Sequence, residues 1–332
     1  MAECRKFYCL GVPRSGTTYF TNLLNSHENI FCGMESFFAR KFKAEFLSTE
    51  NFVANIPENK EKSREYSKKL LQSKSNVQAI GDKNPRSYYE YNRILDEMEG
   101  GVVFVCLRDA HEIFHSWNSR AGNPNDTLWD PGLNWFIAYL EIIALQHVMT
   151  THDHPDVYLV NYSYLVQPET RLEATRRVFE LLGLAPERET EGFLAMTLKR
   201  TISILEKERE RSPARDEILN TAHMRCYAEL LDEVDITPVA EVKAKLEEFS
   251  ACLRKEGPHF LELFDDIVLE LKGDPSFMST WRATTGAMRD CFTSKPLLAL
   301  VKRADGLLGT QPPRMRKRRL KSALTALFRR GP

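Results

Sequence analysis

Short apolar runs alternate with longer helical patterns through the first half of the chain. Runs at 7–12, 30–33, 77–80, 102–107 and 157–160 predict strands. Between the first two, Phe20, Leu23, Leu24 and His27 fall at i, i+3, i+4 and i+7, which predicts a helix from Thr17 that lays this stripe on a sheet. A second helical pattern, 87–99, stops at Gly100 and Gly101, and another follows Pro168 and ends at Gly183, where glycine accommodates a left-handed closing turn. Strands that alternate with helices predict an α/β fold with a parallel sheet covered on both faces. The Lys-, Glu- and Ser-rich segment 37–75 predicts an exposed helical insertion, and 186–272 is helical in pattern with no strand.

The longest apolar stretch, 133–149, is interrupted by Asn134, Glu141 and Gln146 and falls short of the ~20 residues that span a bilayer. No repeat and no Pro/Gly/Ser linker divides the chain, so 1–310 is expected to be one domain, followed by a basic tail at 311–332.

Charge changes this picture little. Lys plus Arg and Asp plus Glu are both 46, so no overall field attracts nucleic acid, and any anion chemistry has to be local. The seven cysteines are odd in number and scattered, which fits reduced thiols in a cytoplasmic protein, and the N-terminus lacks an apolar stretch of signal-peptide length. His152 and His154 form an HxH pair with no cysteine or carboxylate at ligand spacing, so no metal site is expected.

One such local feature is GVPRSGTT, 11–18, which follows an apolar run and opens a helix. That arrangement points backbone N–H groups and the positive end of the helix dipole at an anion. Thr17 stands where a nucleotide triphosphatase has its phosphate-binding lysine, and Arg14 supplies the cation earlier in the loop. After the run VVFVCL comes Arg108 instead of the aspartate that would hold Mg²⁺, which disfavours a metal-dependent kinase.

Arg108 also begins a second anion cradle. It ends a strand, Asp109 is placed to cap the next helix, and Ser116 and Arg120 lie one turn apart on that helix, while Ile113, Phe114 and Trp117 face the core. In open α/β sheets the strand carboxyl ends bind ligands. Two cradles there fit a doubly phosphorylated nucleotide.

With Arg14 to Thr18 and an arginine followed eight residues later by serine, the chain resembles the PAPS-dependent sulfotransferases, PAPS being 3′-phosphoadenosine 5′-phosphosulfate. The resemblance extends to VYLVNYSYLVQPETRLEATRRVFELLGL, 157–184, and is nearest to the carbohydrate and protein-tyrosine branches. It implies a three-layer αβα P-loop fold with a central parallel sheet and a helix-rich C-terminal half. It also implies PAPS as co-substrate without a metal, held by Arg14, Ser15, Gly16, Thr17, Thr18, Arg108, Ser116 and Arg120, with Tyr162 against the donor. In NIFCGMESFF it implies Glu35 as general base, and in GDKNPR it implies Lys83 beside Arg14 as a catalytic cation. The acceptor is then a hydroxyl on a glycan or glycolipid, or alternatively on a tyrosine peptide. A non-catalytic nucleotide-binding protein is the rival of another class; Glu35 and Lys83 argue against it.

The tail carries six Lys or Arg among 314–321, with Leu320, Ala323, Leu324, Leu327 and Phe328 at helical spacing. A basic amphipathic helix of this kind fits either an anionic membrane surface or a docked or solubilising terminus.

Overall fold

A computed structural model describes residues 4–126, 129–130, 132–151, 154–185, 190, 192, 194, 213–291 and 295–309; the basic tail and His152 lie outside the described residues. Five parallel strands, β1 (Arg5–Gly11), β2 (Ile30–Met34), β3 (Ala79–Lys83), β4 (Val102–Leu107) and β5 (Val157–Asn161), form the sheet with β6 (Ile236–Pro238) in the order β2-β3-β1-β4-β5-β6. The fold is α/β, as expected. The last strand is a correction. β6 pairs antiparallel with β5, Val160 opposite Ile236 and Tyr158 opposite Pro238, inside a stretch that the sequence pattern assigned no strand. Three residues ending in proline are too short to display an alternating pattern, and proline is tolerated at such a sheet edge.

Alternate residues of the strands feed two cores. Phe7, Cys9, Phe104 and Cys106 face the helices α1 (Thr17–Asn25) and α7 (Arg171–Leu181), together with the short α6 (Tyr162–Val166). The stripe Phe20, Leu23 and Leu24 is fully buried there; His27, two residues beyond α1, is buried as well and bonds the Ala185 carbonyl at 2.8 Å. On the opposite face Tyr8, Leu10, Val103 and Val105 meet α3 (Tyr91–Glu97), α4 (Ala110–Ala121) and α5 (Trp135–Thr151). The long apolar run is therefore a core helix: thirteen residues of α5 between Phe136 and Met149 are buried, including Glu141 and Gln146. Helices α8 (Pro213–Leu219), α9 (Ala222–Glu233), α10 (Lys243–Lys255), α11 (Pro258–Leu271), α12 (Pro275–Cys291) and α13 (Lys295–Leu308) make up the helical second half, and α10 and α12 pack directly on α5.

Two further expectations are corrected. Besides three single turns of 3-10 helix, the insertion is helical in α2 (Glu61–Gln72), and its first half is anchored to the core: the polar side chains stay exposed, but Phe37, Phe42, Leu47, Phe52 and Ile56 are buried, with Phe52 edge-on to Phe31 and Phe42 tilted against Tyr8. Irregularly spaced aromatics leave no periodic signal, although each finds a ring partner. The third strand runs to Lys83, later than its apolar run implies, because Gly81, Asp82 and Lys83 are buried between β1 and β2 despite their turn-like composition.

Candidate functional site

Because β1 to β5 run in parallel, their carboxyl ends share one edge of the sheet, and each delivers a candidate residue there. Gly11 opens the anion loop after β1, Glu35 follows β2, Lys83 ends β3, Arg108 follows β4 and Tyr162 follows β5. Cys9 registers with Lys83, Met34 with Lys83, and Gly11 with Cys106, so neighbouring ends lie level.

The loop between β1 and α1 is bent by two left-handed residues, Arg14 at φ 76° and Gly16 at φ 96°. Arginine seldom adopts this conformation, and here three fixed groups hold it. Trp117 Nε1 donates to the Pro13 carbonyl at 2.7 Å, Arg108 Nη1 donates to the Arg14 carbonyl at 3.1 Å, and Arg14 Nε donates to Ser116 Oγ at 2.9 Å. At Gly16 any Cβ would lie 2.2 Å from the Tyr162 ring, so only glycine fits beneath that tyrosine. Ser15 is buried, and its hydroxyl has no hydrogen-bond partner among the described residues; Thr17 is buried at the helix start, and Thr18 is exposed.

The loop after β1 and the residues around the start of α4 are thereby in direct contact. Arg108 lies over the Tyr162 ring, 4.5 Å from its centroid, with its Nε 2.6 Å from Glu112, and its own carbonyl accepts from the Tyr227 hydroxyl at 2.8 Å. Arg120 pairs with Asp126 and covers Trp129. Burial lowers the Arg14 pKa, and the nearby charges of Arg120 and then Arg108 lower it further, which is the signature of cations crowded together. Tyr162 is shifted upward by burial, with Arg108 opposing the shift. Asp109 caps α4 by accepting the Glu112 N–H at 3.1 Å, and Ile113, Phe114 and Trp117 are fully buried, so Ser116 and Arg120 are turned to the loop side as the spacing implies.

On the other side of the loop, Lys83 Nζ donates to Glu35 Oε1 at 2.9 Å. Lys83 is almost fully buried, whereas the Glu35 side chain is 54% exposed. Glu35 stands in the left-handed region at φ 55°. Beside it opens a cleft of about 480 Å³ lined by Glu35, Asn59, Lys60, Glu61, Lys62 and Ser63. Among the described residues no group of histidine, cysteine, aspartate or glutamate is arranged to hold a metal ion, and His154 only accepts a hydrogen bond from the Asp156 N–H at 3.3 Å.

Several neighbours of these candidates are not signalled by the sequence. Glu112 and Asp126 partner the two arginines, Tyr227 arrives from α9, and the fully buried Asp82 accepts from the Ser36 and Phe37 N–H groups. Only Glu112 has a local clue, the i, i+4 spacing from Arg108.

Residues 7–188 match the model of a family described as the sulfotransferase family, more than half of the chain. The chain belongs to the sulfotransferase family. All five candidate strand ends of this sulfotransferase fall inside the matched span. Among solved structures it is similar to the sulfotransferase domain of the Synechococcus PCC 7002 olefin synthase, at 13% identity and TM-score 0.39 over 77% of this chain and 96% of that one. It is also similar to sulfotransferase STF9 from Mycobacterium avium, at 14% identity and TM-score 0.37 over 76% and 77% of the two chains. A third likeness is the sulfotransferase domain from the curacin biosynthetic pathway, at 14% identity and TM-score 0.35, covering 94% of this chain and 100% of that one. A search of curated proteins finds no match. Among the described residues no helix is long and apolar enough to cross a membrane.

Proposed function

We propose that this sulfotransferase moves a sulfonyl group from PAPS to an acceptor hydroxyl, with Glu35 as general base. The observation that carries the reading is the Arg14–Ser116 contact, which fuses the loop at 11–18 with Arg108 and Arg120 into one basic surface suited to a nucleotide with phosphate at both the 5′ and 3′ positions. Backbone N–H groups at the start of α1 would take the 5′ phosphosulfate, and Arg108, Ser116 and Arg120 the 3′ phosphate. Tyr162, between Arg108 and Gly16, offers a wall against the donor.

In the transfer, the acceptor oxygen forms a bond to sulfur while the bond from sulfur to the phosphate oxygen breaks. The hydroxyl proton passes to Glu35, and adenosine 3′,5′-bisphosphate (PAP) leaves with the electron pair. A base so placed contributes ~10²–10⁴-fold. Once protonated, Glu35 loses its hold on Lys83, which frees the ammonium for the departing oxygen, where charge builds and a fixed cation lowers the barrier. The cleft beside Glu35, with Asn59, Ser63 and charges of both signs on its wall, supports a polyhydroxylated acceptor, a glycan or the head of a glycolipid. Incubation with radiolabelled PAPS and a panel of glycan, glycolipid and tyrosine-peptide acceptors tests the whole reading. Label transfer to a glycan-type acceptor is expected, transfer only to tyrosine peptides would redirect the acceptor assignment, and absence of PAPS binding would overturn the reading.

A further inference from the structure

A non-glycine residue in the left-handed region persists only where its surroundings over-determine it. At Glu35, φ 55°, the surroundings are specific. Its N–H donates to the Lys83 carbonyl at 2.6 Å. Its carbonyl accepts from Lys60 Nζ, which also reaches the Phe37 carbonyl at 3.3 Å. The next two N–H groups, of Ser36 and Phe37, point into the buried Asp82 carboxylate at 3.1 and 3.2 Å. Gly33 completes the fit, since a Cβ there would stand 2.7 Å from Asp82 Oδ1.

Lys60 comes from the inserted segment, on the turn Glu58–Lys60 just before α2. Its ammonium lies 4.5 Å from the centroid of the exposed Phe38 ring and is held at carbonyls, with burial lowering its pKa. The same residue forms part of the cleft wall beside Glu35. Lys60 therefore touches both the backbone of the proposed base and the space where an acceptor would sit.

We propose that Lys60 and Asp82 are positioning residues that lock the Glu35 turn from opposite sides, and that through Lys60 the inserted segment couples the acceptor cleft to the base. This rests on Glu35 being the base. In the resting enzyme the two groups hold Glu35 aimed at the cleft, so neither needs to touch donor or acceptor.

The test is Lys60→Met, which keeps the stem over Phe38 and removes the donors. Misplacing a catalytic group costs up to ~10²-fold, so kcat should fall about 10-fold or more while KM for PAPS stays within about twofold. Lys60→Arg should recover most of the loss. In a Glu35→Gln background Lys60→Met should cost no more than about twofold, because its effect runs through the carboxylate. A full additional loss in that background, or an unchanged kcat in the single variant, overturns the proposal. Amide hydrogen exchange across 33–38 gives a readout independent of catalysis: faster exchange in Lys60→Met and in Asp82→Asn is expected, and unchanged protection in both overturns the lock whatever Glu35 does. If Glu35→Gln alone keeps wild-type turnover, the base assignment fails, and the exchange data still decide whether the lock exists.

Discussion

Arg14 donates to Ser116 across 2.9 Å and 102 positions of sequence, and this bond brings two separate basic features of the chain together. Nε is used for the contact, which leaves the outer end of the guanidinium for a ligand.

Removing the contact should weaken nucleotide binding more than folding. A hydrogen bond to a charged group is worth about 1.5–3 kcal/mol, so Ser116→Ala is expected to lower affinity for PAP by roughly 10-fold or more, measured by titration calorimetry, with little change in Tm. Arg14→Lys should lose at least as much, because a point-charge ammonium cannot reach Ser116 and a phosphate together.

Gly16→Ala should damage the loop directly. The added Cβ meets the Tyr162 ring at 2.2 Å, on a backbone at φ 96° that alanine adopts at a cost. Overpacking of this kind costs about 1–3 kcal/mol, read as a fall in Tm and weaker PAP binding. Pairing the change with Tyr162→Ala should give less than the sum of the two losses, since the tyrosine creates the clash.

Asp82 predicts a pH dependence of stability. Burial raises its pKa to about 6, against the N–H donors of Ser36 and Phe37 that pull it down. Between about pH 4 and pH 6 the folded protein keeps a proton that the unfolded chain has released, so this contribution to stability is complete below about pH 4 and is lost as pH rises through about 6. Urea unfolding of Asp82→Asn against wild type should therefore shift in favour of the variant by on the order of 2–3 kcal/mol between pH 4 and pH 7. A pH-independent difference would contradict the buried titration.

A fourth prediction concerns sulfur. Cys226 Sγ on α9 and Cys252 Sγ on α10 lie 3.3 Å apart, and burial pushes the Cys226 thiol up to about 12. Cys252, half-buried, is the point of entry: its thiolate should attack glutathione disulfide and release one glutathione, after which Cys226 displaces the second and closes the bond. Non-reducing peptide mapping checks the link, Cys252→Ser should abolish it, and the crosslinked form should gain about 3 kcal/mol of stability.

The sequence made the sheet legible where apolar runs were long: β4 occupies the expected 102–107 to the residue, and the loop that follows β1 is where the glycine pattern puts it. It was misleading where composition and environment disagree. Asp82 and Lys83 look like a polar turn but lie in a buried strand, because two neighbouring strands supply the backbone partners and Ser36, Phe37 and Glu35 absorb the charges. Candidate residues could be named from spacing, but their partners could not. Tyr227 and Lys60 reach the site through tertiary packing, which leaves no local pattern, and Asp126 lies six residues beyond Arg120, a spacing that no helical repeat signals.

Helix α5 has no outward face, since residues all around it are buried, with the sheet side on one flank and α10 and α12 on another. The matched span, 7–188, contains α5, but two of the helices that cover it lie beyond residue 188. Cutting the chain at that boundary would strip the roof from its most apolar helix, and the fragment should come out of cells as aggregate. Any shortened version made for crystallisation or engineering has to keep the distal helices, even though, among the described residues, they contribute only Tyr227 to the candidate site.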